Sequence, residues 1–220
     1  LNANATILST RKLSSSQKEL LLNSGIGFVE YNAIEIELLE LKFNRDIKNA
    51  IFTSKNAVKA IQNSEFTIEN CFCVGENTKK LLEENGQKVV EIAQNASNLA
   101  KIIVKSYKKE QFYFFCGNMR RAELPLTLKE NTIQLEQIVV YKTHMKSKKF
   151  DRTFEGILFF SPSGVQSYTM TNTLDESMAF CIGNTTASEA KKHTKNCIVA
   201  NKPTVENVLV QTVKYFYKRI

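Results

Sequence analysis

Arg120 and Arg121 stand side by side just after an apolar run and a glycine, in the string FYFFCGNMRRAELP that covers residues 112–125. Neighbouring guanidinium groups make bidentate, charge-assisted hydrogen bonds to carboxylate or phosphate, so the chemistry they offer is anion capture. Arginine is scarce in this chain, and Arg11 likewise follows a short apolar run, ATILST at 5–10, which ends on Thr10. Hydroxyls follow four further apolar runs: Ser54 with Lys55 beside it, Thr78, Ser161 with Ser163, and Thr185 with Thr186. Ser and Thr at such places also serve as ordinary helix N-caps. The two histidines, His144 and His193, have no partner spacing and are expected at the surface.

These groups need elements to hold them. Phe112–Cys116 has the composition of a strand buried on both faces. Gly117 breaks it, a polar turn carries the two arginines, a helix starts near Pro125, and an alternating strand ends at Tyr141. Arginines just beyond the carboxyl end of a parallel strand fall where open α/β sheets bind their ligands. Earlier in the chain, ATILST predicts a short buried strand, and Ser16-Gln17-Lys18-Glu19 predicts a capping box opening a helix that Gly25 stops. A second strand is expected over 27–31. Ile34, Ile36 and Leu38 then alternate with Glu35 and Glu37, the pattern of a half-exposed connecting strand.

AIFTSKNAV (50–58) and CFCVGENTKKLL (71–82) are strand, turn and helix units, with Gly75 allowing a tight turn and Gly86 ending the second helix. KVVEIA is a strand, and NASNLAKIIV sets Leu99, Ile102 and Ile103 on one helical face. The same grammar returns later. GILFFSPSGV (156–165) parallels AIFTSKNAV, and AFCIGNTTASEA (179–190) parallels CFCVGENTKKLL. Placing Gly75 on Gly183 gives an offset of 108 residues (183 minus 75), which also places Cys73 on Cys181 and Thr78 on Thr186. CIVANKPTVENVLVQTV parallels VVEIAQNASNLAKIIV, and ATILSTR parallels FYFFCGNMR, so the chain is a duplication of two α/β halves built from parallel βαβ units.

Composition agrees with this plan. A length of 220 residues suits two domains of about 100 residues each. A hydrophobic fraction of 43% with three prolines and eight glycines fits a globular chain. No apolar run approaches the roughly 18 residues of a membrane span, and LNANATILSTRK lacks the apolar core of a signal peptide. Five cysteines inside or at the ends of strand-like runs fit free buried thiols in a reducing cytoplasm. Cys71 and Cys73 share a strand face but lack the second Cys/His pair that a metal site needs. The net charge of +8, mostly lysine, fits a solvated surface or a polyanionic ligand. Aromatics do not interleave with the basic residues, which disfavours nucleic acid.

IFTSKNAV, VGENT, CGNMRRAELP, VYKT, FFSPSGV, IGNTT and KPT occur in this order along nearly the whole chain, and in this the sequence resembles the uroporphyrinogen-III synthases. Each string alone is weak; together and in register they are specific. The sequence departs from the family pattern at Lys12 and at Asn32, where Pro is common, and at Thr194, where Gly often ends a helix. The resemblance implies an α/β fold of two flavodoxin-like parallel-sheet domains joined by a two-stranded antiparallel ladder. Residues 1–33 plus 146–220 would form one domain, 38–138 the other, and 34–38 with 138–145 the ladder.

The resemblance also implies an enzyme without a cofactor or metal, which closes linear hydroxymethylbilane to uroporphyrinogen III with loss of water and inversion of the last pyrrole ring. Thr10, Arg11, Ser54, Lys55, Thr78, Arg120, Arg121, Ser161, Ser163, Thr185 and Thr186 are then expected to meet the carboxylates of this polycarboxylate substrate. Tyr141, in the VYKT string, takes the place of the family's candidate acid. A phenol with a reference pKa of about 10 stays protonated at neutral pH and can donate to a departing hydroxyl. Because the bilane also closes unaided to the wrong isomer, the main task is to steer ring geometry.

A cytoplasmic monomer is implied, with domains that close on the substrate and transient contact with the upstream bilane-forming enzyme, but no membrane or nucleic-acid partner. Two other readings share the fold: a non-catalytic ligand-binding or sensor module, and a flavodoxin-like electron carrier. Tyr141 and the Ser/Thr strand ends argue against the first, and the lack of a single Ser/Thr/Gly-rich flavin-phosphate loop argues against the second.

Overall fold

A computed structural model describes residues 5–41 and 45–217; residues 1–4, 42–44 and 218–220, which the sequence reading assigns to the two α/β domains, lie outside the described residues. The chain divides into two compact units, Leu1–Glu35 with His144–Ile220, and Ile36–Thr143. Its elements begin with β1 (Thr6–Ser9), α1 (Ser15–Leu22), β2 (Gly27–Glu30) and β3 (Ile34–Leu38). There follow β4 (Ile47–Phe52), α2 (Lys55–Ile61), β5 (Ile68–Val74), α3 (Glu76–Glu84), β6 (Val89–Ala93) and α4 (Ala96–Ser106). β7 (Gln111–Gly117), α5 (Glu123–Glu130) and the long β8 (Gln134–Met145) complete the middle of the chain. The last part holds β9 (Gly156–Phe159), α6 (Pro162–Thr169), β10 (Met178–Cys181), α7 (Asn184–Ala190), β11 (Cys197–Val199) and α8 (Val205–Tyr217).

One sheet has the order β11-β10-β9-β1-β2 and is parallel throughout. The other has the order β3-β8-β7-β4-β5-β6, in which β4 to β8 are parallel. β3 lies beside β8 in the opposite sense: Leu39 N–H donates to Val140 O at 2.9 Å and Lys146 N–H donates to Ala33 O at 2.8 Å, so residue numbers rise along one strand as they fall along the other. The first sheet, counted in chain order, is 2-1-3-4-5, the flavodoxin order. Counted from β9 through β11 and then β1 and β2, it becomes 3-2-1-4-5, the order of β4 to β8 in the second. The duplication seen in the sequence is thus a spatial one, and the first unit enters the same arrangement at a different strand.

Each sheet is covered on both faces, because successive strand residues point to opposite sides. In the second unit Ala50, Phe52, Cys71, Cys73 and Phe115 pack with Val58 and Ile61 of α2 and Leu82 of α3. Ile51, Phe72, Phe112 and Phe114 pack with Leu99 and Ile103 of α4 and Leu124 and Leu128 of α5. Phe52 and Phe115 stack at 5.3 Å between ring centroids, a contact that adds about 1 kcal/mol beyond its buried area. In the first unit Leu8, Phe159 and Cys181 face α6 and α7, while Ile7, Leu158 and Phe180 face α1 and α8. Cys71, Cys73, Cys116 and Cys181 are buried free thiols, and Cys197 is half-buried.

Three local expectations shift. The capping box of α1 is built on Ser14, whose hydroxyl accepts from the Gln17 amide while the Gln17 side chain accepts from the Ser14 amide. Ser16 and Glu19 therefore lie inside the helix: three consecutive serines can each cap, and the earliest lengthens the helix by two residues, about half a turn. α5 begins at Glu123, so Pro125 sits inside its first turn, where the missing N–H has no helical partner to lose. β8 does not end at Tyr141 but runs on to Met145, because β3 pairs with its outer edge. No helix among the described residues is long and apolar enough to cross a membrane.

Candidate active site

In an order of 3-2-1-4-5 the connections leave in opposite directions on either side of one strand pair, and ligands bind outside the carboxyl ends of those strands. That pair is β4 and β7 in the second unit and β9 and β1 in the first. Just beyond those strand ends stand Ser54 with Lys55, Arg120 with Arg121, Ser161 with Ser163, and Thr10 with Arg11, of which Lys55 and Ser163 belong to the first turns of α2 and α6. These eight residues therefore sit at the two places the topology favours, whereas Thr78 follows β5, Thr185 and Thr186 follow β10, and Tyr141 stands on β8.

In the second unit Tyr141 comes from β8, next to β7. Cys116 pairs with Val139 and Gly117 with Tyr141, so the register slips by one residue and Val140 is extra. Ile138, Val140 and Tyr141 all pack on the face covered by α2 and α3, while Val139 is exposed. The strand after the slip is held by Asn118, whose amide donates to Tyr141 O at 3.2 Å and whose side-chain oxygen accepts from the Thr143 amide at 2.8 Å. Burial pushes the Tyr141 phenol above its ordinary pKa, the Ser54 hydroxyl beside it pulls the other way, and the balance is upward. The phenol is therefore held protonated. Ser54 also caps α2, accepting from the Asn56 amide at 3.2 Å.

Around this pair, Arg120 Nε donates to Gln137 Oε1 at 2.6 Å, which fixes the guanidinium against β8. Arg121 and Lys55 are exposed. Thr78 is buried in the first turn of α3, after Gly75, whose φ of +84° makes the tight turn the sequence predicted.

In the first unit Ser161 caps α6, accepting from the Gly164 amide at 3.0 Å. Gly164 approaches both neighbours: a Cβ there would lie 3.4 Å from Ser161 Oγ and 3.5 Å from Thr10 Oγ1. Thr10 donates its hydroxyl proton to Leu158 O at 2.7 Å. In this arrangement the hydroxyl proton of Thr10 is engaged within the sheet, and Thr10 clasps β1 to β9. Arg11 is exposed, its guanidinium 5.6 Å from the centroid of the Phe160 ring. Its loop is latched to β2: the Lys12 amide donates to Asn32 Oδ1 at 3.1 Å and the Leu13 amide to Glu30 Oε2 at 2.9 Å. Ser163 is half-exposed in α6, Thr185 is exposed and Thr186 is buried in α7.

Sequence reasoning missed Gly117 as a neighbour of Tyr141, Asn118 as the tie beyond the slip, and Gln137 as the partner of Arg120. Of these only Gly117 left a signal, as a glycine ending a run of large apolar residues. A hollow of about 620 Å³ in the first unit, lined by Phe150, Arg152, Tyr168 and Asn172, lies beside the residues that enter β9 and so away from the strand ends that carry these groups. Among the described residues no group of three or more His, Cys, Asp or Glu is placed to hold a metal ion.

The family model for uroporphyrinogen-III synthase HemD matches residues 15–209. Uroporphyrinogen-III synthetase from Helicobacter pylori shares the fold with a TM-score of 0.68 at 19% identity, over 96% of this chain and 99% of that one. A mutant uroporphyrinogen III synthase from the extremely thermophilic bacterium Thermus thermophilus superposes with a TM-score of 0.73 at 10% identity, over 98% of this chain and 100% of that one. No curated protein sequence matches. At these identities the structural likeness is one of fold, and the family model covers most of the sequence. The chain belongs to the uroporphyrinogen-III synthase family, the cyclising hydro-lyases that make uroporphyrinogen III from hydroxymethylbilane in tetrapyrrole biosynthesis.

Proposed function

We propose that Tyr141 is the proton donor to the departing hydroxyl of hydroxymethylbilane in this chain. The observation that supports this reading is the half-buried phenol on β8, one strand from the topological switch, whose pKa is raised by burial. The pyrrole nitrogen lone pair expels the hydroxyl, the C–O bond breaks, and the phenol proton leaves with the oxygen as water. A donor of this kind needs only to be protonated and well placed, because the substrate itself supplies most of the push. Arg11, Lys55, Arg120, Arg121, Ser54, Ser161, Ser163, Thr78, Thr185 and Thr186 serve as the groups that hold carboxylates, the exposed cations by charge and the hydroxyls by donation.

The same reading takes the chain as a cytoplasmic monomer that receives its unstable substrate from the enzyme that assembles the bilane. Tyr141→Phe is the test. Turnover should fall by about 10- to 100-fold, at or below the low end of general-acid effects, with the melting temperature kept. Wild-type turnover in this variant would show that Tyr141 is structural.

A further inference from the structure

Gly117 is the last residue of β7 and lies on the face of the sheet covered by α2 and α3, opposite Tyr141. A Cβ placed on it would lie 2.5 Å from both Cε2 and Cζ of Tyr141 and 2.8 Å from the phenol oxygen. No side chain tolerates approaches that short, so the ring rests where only glycine leaves room. Its φ lies outside the left-handed range, and the demand at this position is for space rather than for an unusual backbone.

The register slip completes the arrangement. In a regular strand Tyr141 would point away from the side taken by Ile138 and Val140, since a shift of one residue changes the face. The extra residue, Val140, turns Tyr141 back onto the same side, over Gly117. Bulges of this kind re-aim a side chain next to an active site. The three heavy atoms nearest to the absent Cβ are all outer atoms of the tyrosine side chain, and none of them is backbone. Adding a methyl group therefore moves the ring before it disturbs the sheet.

We propose that Gly117 is a positioning residue whose missing side chain forms the seat of the Tyr141 ring and sets the place of its hydroxyl. The inference rests on the reading of Tyr141 as the proton donor. It is tested with Gly117→Ala, Tyr141→Phe and the double variant, measured for kcat and KM on enzymatically generated hydroxymethylbilane. Gly117→Ala should lower kcat by about tenfold or more with KM little changed, and should cost nothing further in the Tyr141→Phe background, where the hydroxyl is already gone. Equal losses in both backgrounds, or no loss in either, overturn the inference while leaving the donor reading intact. Wild-type turnover in Tyr141→Phe alone ends the donor reading and this inference with it.

Thermal melting guards against a folding defect. Gly117→Ala should melt below wild type, and Tyr141→Ala in the same chain should remove that difference by taking away the ring. A defect that persists without the ring means that something other than Tyr141 excludes the methyl group, and the seat is not real.

Discussion

The Lys12 amide donates to the side-chain oxygen of Asn32 across 3.1 Å, which ties the loop after β1 to the segment that follows β2. Proline at 12 would remove the donor, and proline at 32 the acceptor. This hydrogen bond fixes the loop that presents Arg11.

Asn32→Ala should cost about 0.5–1 kcal/mol in the wild-type background and almost nothing in a Lys12→Pro background, where the amide is absent. Denaturant unfolding of the four proteins of this cycle gives the coupling directly. Equal costs in both backgrounds would mean that solvent replaces the hydrogen bond without loss.

The other side of that loop is tied by Glu30, which accepts from the Leu13 amide at 2.9 Å and from Lys18 Nζ at 2.7 Å. Burial opposes its ionisation, but the bonds from Lys18 and Leu13 outweigh it, and the carboxyl sits below its ordinary value near 4.5. A carboxylate with a depressed pKa in the folded protein adds stability that is present above the unfolded value and fades as pH falls through the folded one. Below about pH 4.5 the wild type should therefore lose stability more steeply than Glu30→Gln, which has no such group to protonate. Melting temperatures of the two proteins between neutral and acid pH measure this, and parallel curves would contradict it.

The phenol of Tyr141 carries the opposite shift. A donor must be protonated to act, and burial moves the loss of its proton above the ordinary value of 10.0. Turnover at saturating substrate should thus stay level from pH 7 to about 9.5, with no alkaline limb in that range from this group. A limb that appears below pH 9 in the wild type and vanishes in Tyr141→Phe would place the phenol pKa lower than its burial allows.

Much of this was legible in the residues. The paired strings around Gly75 and Gly183 gave the duplication, because strands buried on both faces and glycines at strand ends leave a strong periodic mark. The same logic put Ser54, Ser161 and Arg121 beyond strand ends, where they are found. The slip at Val140 left no mark: Ile138, Val139, Val140 and Tyr141 are all apolar or amphipathic, so the alternation that reveals facing is lost where it matters. Among Ser14, Ser15 and Ser16 the sequence offers three caps of equal chemistry, and the box closes on the first, with Gln17 as its reciprocal partner. Thr10 was placed correctly at a strand end, but its hydroxyl partner, Leu158 O, is 148 residues away in the chain and invisible to any local pattern.

The central claim is that this chain directs ring closure. Hydroxymethylbilane generated in place by its own synthase closes unaided to the isomer without ring inversion, so product identity reports on the enzyme independently of rate. With the purified protein present, isomer III should dominate isomer I in the oxidised porphyrin products resolved by chromatography. A product mixture unchanged from the spontaneous one, at protein concentrations in excess of substrate, would contradict the account.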